Sequence, residues 1–126
     1  MRWPVAVLLT LGLVASGGLA SSGFTALGKV ERGQWQLREV GGETRSACIA
    51  DPETLFQLRG TSAGCSRLVI ENAPTSATVN YSCQSGAHGR TTISVETPRL
   101  MRIESQGVEA GVPFFIEIEA RRTGAC

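Results

Sequence analysis

The stretch from Ala77 to Thr97, ATVNYSCQSGAHGRTTISVET, alternates apolar and polar residues on both sides of a glycine-rich break. Ala77, Val79, Tyr81 and Cys83 fall on one face, with Thr78, Asn80, Ser82 and Gln84 on the other. Beyond the break Ile93 and Val95 share a face opposite Thr92, Ser94 and Glu96. Period-two alternation around a Gly/Ser cluster predicts a half-buried antiparallel hairpin. It places this hairpin in the middle of the sheet, with Cys83 as an anchor near the end of its first strand. The same period recurs along the chain. Gly33 to Val40 carries Trp35 and Leu37 on one face, and Cys65 to Glu71 turns Leu68 and Ile70 inward. Arg99 to Ser105 contributes Met101 and Ile103, and Pro113 to Arg121 contributes Phe114, Ile116, Ile118 and Ala120. Turn signals stand at Gly41-Gly42, Ala73-Pro74 and Thr97-Pro98, with a loop over residues 106–111. One helical piece is expected between Cys48 and Leu58. There Asp51 suits an N-cap, Pro52 the first helical position and Glu53 the positive end of the helix dipole. Leu55 and Leu58 give that helix an apolar side, and Gly60 and Gly64 stop it. The expected fold is therefore mainly all-β: a curved antiparallel meander or half-barrel of about six strands, with one short helix.

The N-terminus bounds the compartment. Met1 to Ala20 has one charge, Arg2, then the apolar run Val5 to Ala15, then small residues with Gly18 and Ala20 at peptidase-site spacing. This is the layout of a signal peptide, and the run is short for a membrane span. The expected organisation is a leader over 1–20, a tether over 21–32 with Phe24 and Leu27 tucked against the fold, and a β domain over 33–126. The chain has 12 basic and 11 acidic side chains. Only Arg2 lies in the leader, so the remainder balances. Interspersed charge of this kind points neither to nucleic acid nor to an anionic membrane patch. Cys48, Cys65, Cys83 and Cys126 all follow the leader, and an even count there implies an oxidising compartment and two disulfides. No C-x-x-C pair exists, and His88 is at no ligand-pair offset, which argues against zinc. Of the three connectivities, spacing favours Cys48–Cys65 around the helix and Cys83–Cys126 to the central hairpin. The protein is expected in the periplasm or secreted, without stable membrane insertion.

Several local features coincide: Gly33 with Trp35, Cys48-Ile49 before a short helix, Gly64-Cys65, Tyr81 with Cys83, and the ending Arg122, Gly124, Cys126. Together they resemble domain-of-unknown-function family 3617, small exported bacterial proteins, over Gly33 to Cys126. The resemblance implies a periplasmic or secreted β-rich domain and supplies no catalytic residue.

Chemistry is sparse. His88, in the loop QSGAHGR, is the one side chain suited to acid–base work near neutral pH. No G-x-S-x-G or similar nucleophile motif accompanies it. Glu117 and Glu119 form a same-face carboxylate pair of the kind glycosidases use, which a solvated strand also explains. Asn80-Tyr81-Ser82 matches a glycosylation acceptor by coincidence in mid-strand. No phosphate-binding glycine loop is present and no cofactor is expected. The chain reads as a non-catalytic binding or structural module and not as an enzyme. Two partner classes remain. One is a small apolar ligand or lipid on a concave face lined by Trp35, Tyr81, Met101 and Phe114. The other is a periplasmic protein, for example a protease inhibited by the segment 21–32 acting as an inserting arm.

Overall fold

Seven strands, joined into one antiparallel sheet, account for most of the residues described by the computed structural model, 23–59 and 64–126. The expected leader and the helix stop at Gly60 lie outside the described residues. The strands are β1 (Gly33–Glu39), β2 (Thr44–Ile49), β3 (Cys65–Asn72), β4 (Ser76–Cys83), β5 (His88–Thr97), β6 (Leu100–Glu109) and β7 (Val112–Gly124). Their order across the sheet is β2-β1-β7-β6-β5-β4-β3. β3 to β7 form a meander, and β7 then pairs with β1 to bring in the β1–β2 hairpin. The sheet is open, with β2 and β3 as its edges.

The turns follow from local chemistry. Gly41 and Gly86 take positive φ, 76° and 91°, in the β1–β2 and β4–β5 turns. The expected loop over 106–111 is largely strand: β6 runs to Glu109, and Ala110-Gly111 alone reverses the chain with φ of 49° and 76°. Two successive positive φ values suit the right-handed twist of a tight hairpin.

Only one face of the sheet is covered. Phe24, Ala26, Leu27 and Val30, around a 3-10 turn at Leu27–Lys29, lie in the core with Trp35, Ile93, Met101 and Ile103. The segment expected as a tether is thus built into the fold. Asn72 holds its start by accepting from the Thr25 amide at 3.1 Å and donating to the Gly23 carbonyl at 3.0 Å. The Trp35 indole donates to the Glu31 carbonyl at 3.0 Å. A second cover comes from the link between β2 and β3, which must pass from one edge to the other. It does so over the covered face as a 3-10 turn at Pro52–Phe56, with Asp51 accepting from the Glu53 amide. Leu55 and Phe56 are buried, and Phe56 lies 4.9 Å from the Phe24 ring. The capping signals therefore hold, while the α-helix they suggested does not form. A piece this short is not self-sustaining, and packing selects a tighter turn that buries Phe56 in place of Leu58.

Two expectations are corrected by the strand order. First, the disulfides are Cys48–Cys126 and Cys65–Cys83. Cys65 stands directly opposite Cys83 on the adjacent strand. Cys48 pairs in register with Gln34, which pairs with Gly124, so the chain end comes to Cys48. A Cys48–Cys65 bond would have to join opposite edges of the sheet. Second, Leu68 and Ile70 do not face a core. Leu68 pairs with Asn80 on the uncovered face, and β3 is an edge strand that the covers meet only at its ends, Asn72 and Cys65, so Leu68, Val69 and Ile70 are 64%, 52% and 44% exposed. The strand over Thr44–Ile49 was not expected, because its Thr, Arg and Ser carry no apolar alternation; it is polar because it is the other edge. The hairpin at Ala77 is likewise displaced from the middle of the sheet, next to β3 at one side.

Non-reducing peptide mapping should recover Cys48–Cys126 and Cys65–Cys83 and no other pair. On the chain-entropy model, removing the 78-residue link should cost about 4.5 kcal/mol and the 18-residue link about 3 kcal/mol. In urea titrations with the disulfides intact, Phe56→Ala should cost about 3–5 kcal/mol.

Candidate ligand-binding cleft

The four residues expected to share a ligand face are separated by the fold. Trp35 and Met101 are fully buried beneath the two covers and belong to the main core. Tyr81 belongs to a second, smaller cluster with Cys83 and Ala87, against which Cys65 and Phe114 pack. The covered face is filled where the ligand was placed.

A cleft of about 850 Å³ opens above the smaller cluster instead. Its side chains come from the uncovered face of β3 to β6, in two rows set by strand register. Leu68, Asn80, Arg90 and Gln106 stand opposite one another in turn, and Ser66, Ser82, His88 and Val108 form the neighbouring row. Arg67, Tyr81, Gly89, Gly107 and Phe114 form the row between them, whose backbone is the floor and whose side chains belong to the covered side. At about 4.8 Å per strand, Leu68 and Gln106 are roughly 14 Å apart across the floor.

Beneath this floor, Gly89 and Gly107 are directly paired, and the side chains they lack would point to the Tyr81 side of the sheet. Neither tolerates a Cβ. One on Gly89 would lie 2.6 Å from the Tyr81 hydroxyl, and one on Gly107 would run into the His88 carbonyl. The Tyr81 ring closes over Gly89 in place of the missing side chain, which stabilises a glycine within a strand. Burial, and then the negative charge of Glu109, push the Tyr81 phenol above its ordinary pKa.

The polar groups of the cleft are partly organised. Arg90 donates from Nε to Asn80 Oδ1 at 2.9 Å, which holds the guanidinium across two strands. His88 Nδ1 is 3.1 Å from the Gly86 carbonyl. A carbonyl can only accept, so Nδ1 carries a proton. Ser66 donates to the Ser82 carbonyl at 3.4 Å. No Asp or Glu lines the cleft. The rest of the uncovered face differs: Arg38 and Arg121 pair with Glu119, and Arg102 pairs with Glu96 and Glu117. Arg38, first by hydrogen bond and then by charge, lowers the pKa of Glu119. A carboxylate so held stays ionised, the opposite of what a glycosidase acid needs. A second cleft of about 460 Å³ includes Glu39, Glu43 and Glu109 beside Arg45 and Arg59, a mixture of both signs.

His88 is therefore the one chemistry-bearing residue of the sequence that the fold brings into the cleft. Arg67, Leu68, Arg90 and Gln106 were missed. Leu68 was assigned inward by alternation, and Arg90 and Gln106 are ordinary solvated strand residues until register aligns them. The glycines at 89 and 107 were the available signal, since isolated glycine in a strand marks close approach. In comparisons with known proteins, the chain matches no family model, no curated protein and no solved structure.

Tyr81 is the only tyrosine in the chain, so phenolate absorbance reports it alone. It should titrate above pH 10 in the folded protein, and Glu109→Gln should lower that midpoint by part of the shift. With the folded pKa raised, the stabilising contribution is complete below the unfolded value and is lost as pH rises through the folded one. Urea stability should accordingly fall above about pH 10, and less so in Tyr81→Phe.

Proposed function

We propose that this chain is a non-catalytic binding module of an oxidising, extracytoplasmic compartment, and that the cleft over β3 to β6 is where it binds. The two disulfides support the compartment. Among the described residues no helix is long and apolar enough to cross a membrane. Export to the periplasm by the leader, and membership of domain-of-unknown-function family 3617, belong to the same reading.

The observation that carries the binding role is the cleft itself. Its volume falls within the range of about 300–1,000 Å³ common for small-ligand sites, and it combines apolar walls with a few converging polar groups. Leu68 and Val108 supply apolar surface on either side, and Asn80, Arg90, His88 and Gln106 the polar groups. The Cys65–Cys83 bond ties the edge strand bearing Leu68 to β4, so one wall is covalently braced. A non-catalytic role agrees with His88 resting on a backbone carbonyl and with Glu117 and Glu119 committed to arginines. The inhibitor alternative has less support, because residues 24–30 are core and offer no free arm.

Titrating decanoate, decyl glucoside and decyltrimethylammonium as dissolved monomers, followed by backbone amide shifts, tests the reading. At least one should saturate, with shifts concentrated at residues 66–68, 80–82, 88–90 and 106–108. Absence of binding by all three, or shifts centred on Trp35 and Met101, would sink it.

A further inference from the structure

Resting on the binding role of this cleft, we propose that its ligand is a small amphiphile with an anionic headgroup, taken from solution, whose charge is held by Arg90. The argument is one of charge complementarity in a defined place. Arg90 and His88 stand in neighbouring rows of the cleft face, and no carboxylate lines the cleft. Among the described residues, the terminal nitrogens of Arg90 have no partner; its single bond, through Nε to Asn80, orients the guanidinium and leaves the planar NH₂ pair available. That pair is the part of arginine suited to gripping a carboxylate or phosphate with two parallel hydrogen bonds. Arg67 pairs with Tyr81 and so projects from the other face of the sheet, which leaves Arg90 as the arginine of the cleft face.

The surroundings confine an anion to this end of the face. The next row of uncovered side chains contains Glu71, Glu104 and Glu117, opposite one another through Thr78 and Thr92. A negatively charged group sliding out of the cleft toward that row meets repulsion. Leu68 on β3 and Val108 on β6 stand to either side of Arg90 and His88 and give apolar surface for a chain to lie on. A charged centre flanked by apolar side chains matches a ligand with one charged group and an apolar chain. A purely apolar ligand would leave the Arg90 guanidinium desolvated without a partner, which costs more than its chain contacts return.

The experiment compares decanoate, decyl glucoside and decyltrimethylammonium on the wild-type protein, Arg90→Gln, Arg67→Gln and the control Arg102→Gln. The control removes the same charge from the same face outside the cleft, at a side chain 50% exposed. Decanoate should bind the wild type best. Losing a charge-assisted hydrogen bond should weaken decanoate about 10- to 100-fold in Arg90→Gln. Arg67→Gln, on the other face of the sheet, and Arg102→Gln should leave it within about twofold, since a distant exposed charge is largely screened. Equal affinity for all three headgroups, or equal loss in Arg90→Gln and Arg102→Gln, would overturn the anion assignment while leaving a binding cleft in place. No binding by any of the three would remove the cleft reading itself. Binding to anionic vesicles without binding of dissolved decanoate would likewise overturn the proposal, in favour of a membrane surface. All four proteins should share one urea midpoint within error, since all three arginines are exposed.

Discussion

The hydroxyl of Thr91 donates to the carbonyl of Phe56 at 2.6 Å in the middle of the covered face, and it bonds to Ser105 at 2.8 Å. This buried contact fixes the link that crosses from β2 to β3, and most of the fold depends on that crossing. An isolated antiparallel sheet has one apolar face to hide and no second sheet here to hide it against. The chain solves this with two short segments laid over β5, one before β1 and one between β2 and β3. Neither segment has enough residues to be stable as a helix. Each is held by side chains buried in the sheet, and the polar groups this buries are satisfied.

Because the covers are short, they do not reach the whole sheet. Trp35, Met101 and Ile103 receive a complete cover and become core. β3 receives none and leaves Leu68, Val69 and Ile70 in solvent. The protein thus has a well-buried half and a thin half. The thin half is braced by the Cys65–Cys83 bond directly between paired residues, and its small cluster of Tyr81, Cys83 and Ala87 lies under the cleft. Arg90 and the exposed Leu68 share a face there, on a part of the sheet whose local stability rests more on a covalent bond than on buried area.

Glycine does a second job in that region. Gly89 and Gly107 let β5 and β6 approach where any side chain would collide, and Tyr81 fills the space over Gly89. The room they leave on the covered side is taken by that ring, directly beneath the floor of the cleft.

Alternation of residues determined the class of fold: strand-forming segments, tight turns at Gly41, Gly86 and Pro98, and a capped turn beginning at Asp51 are all legible without coordinates of any kind. The inward faces of β1, β4, β5, β6 and β7 follow from the same period. The even cysteine count determined that there would be two disulfides. The tertiary structure alone decided which strands lie at the edges, and that decision explains the revised disulfides and the exposure of β3. Period two says which residues share a face; it says nothing about whether that face is covered. Leu68 and Trp35 carry the same kind of signal, and one is 64% exposed while the other is fully buried. Strand order also chose the cysteine partners, by placing Cys65 beside Cys83 and the chain end beside Cys48. Register then brought Arg90, His88 and Gln106, unremarkable one by one, into a single cleft.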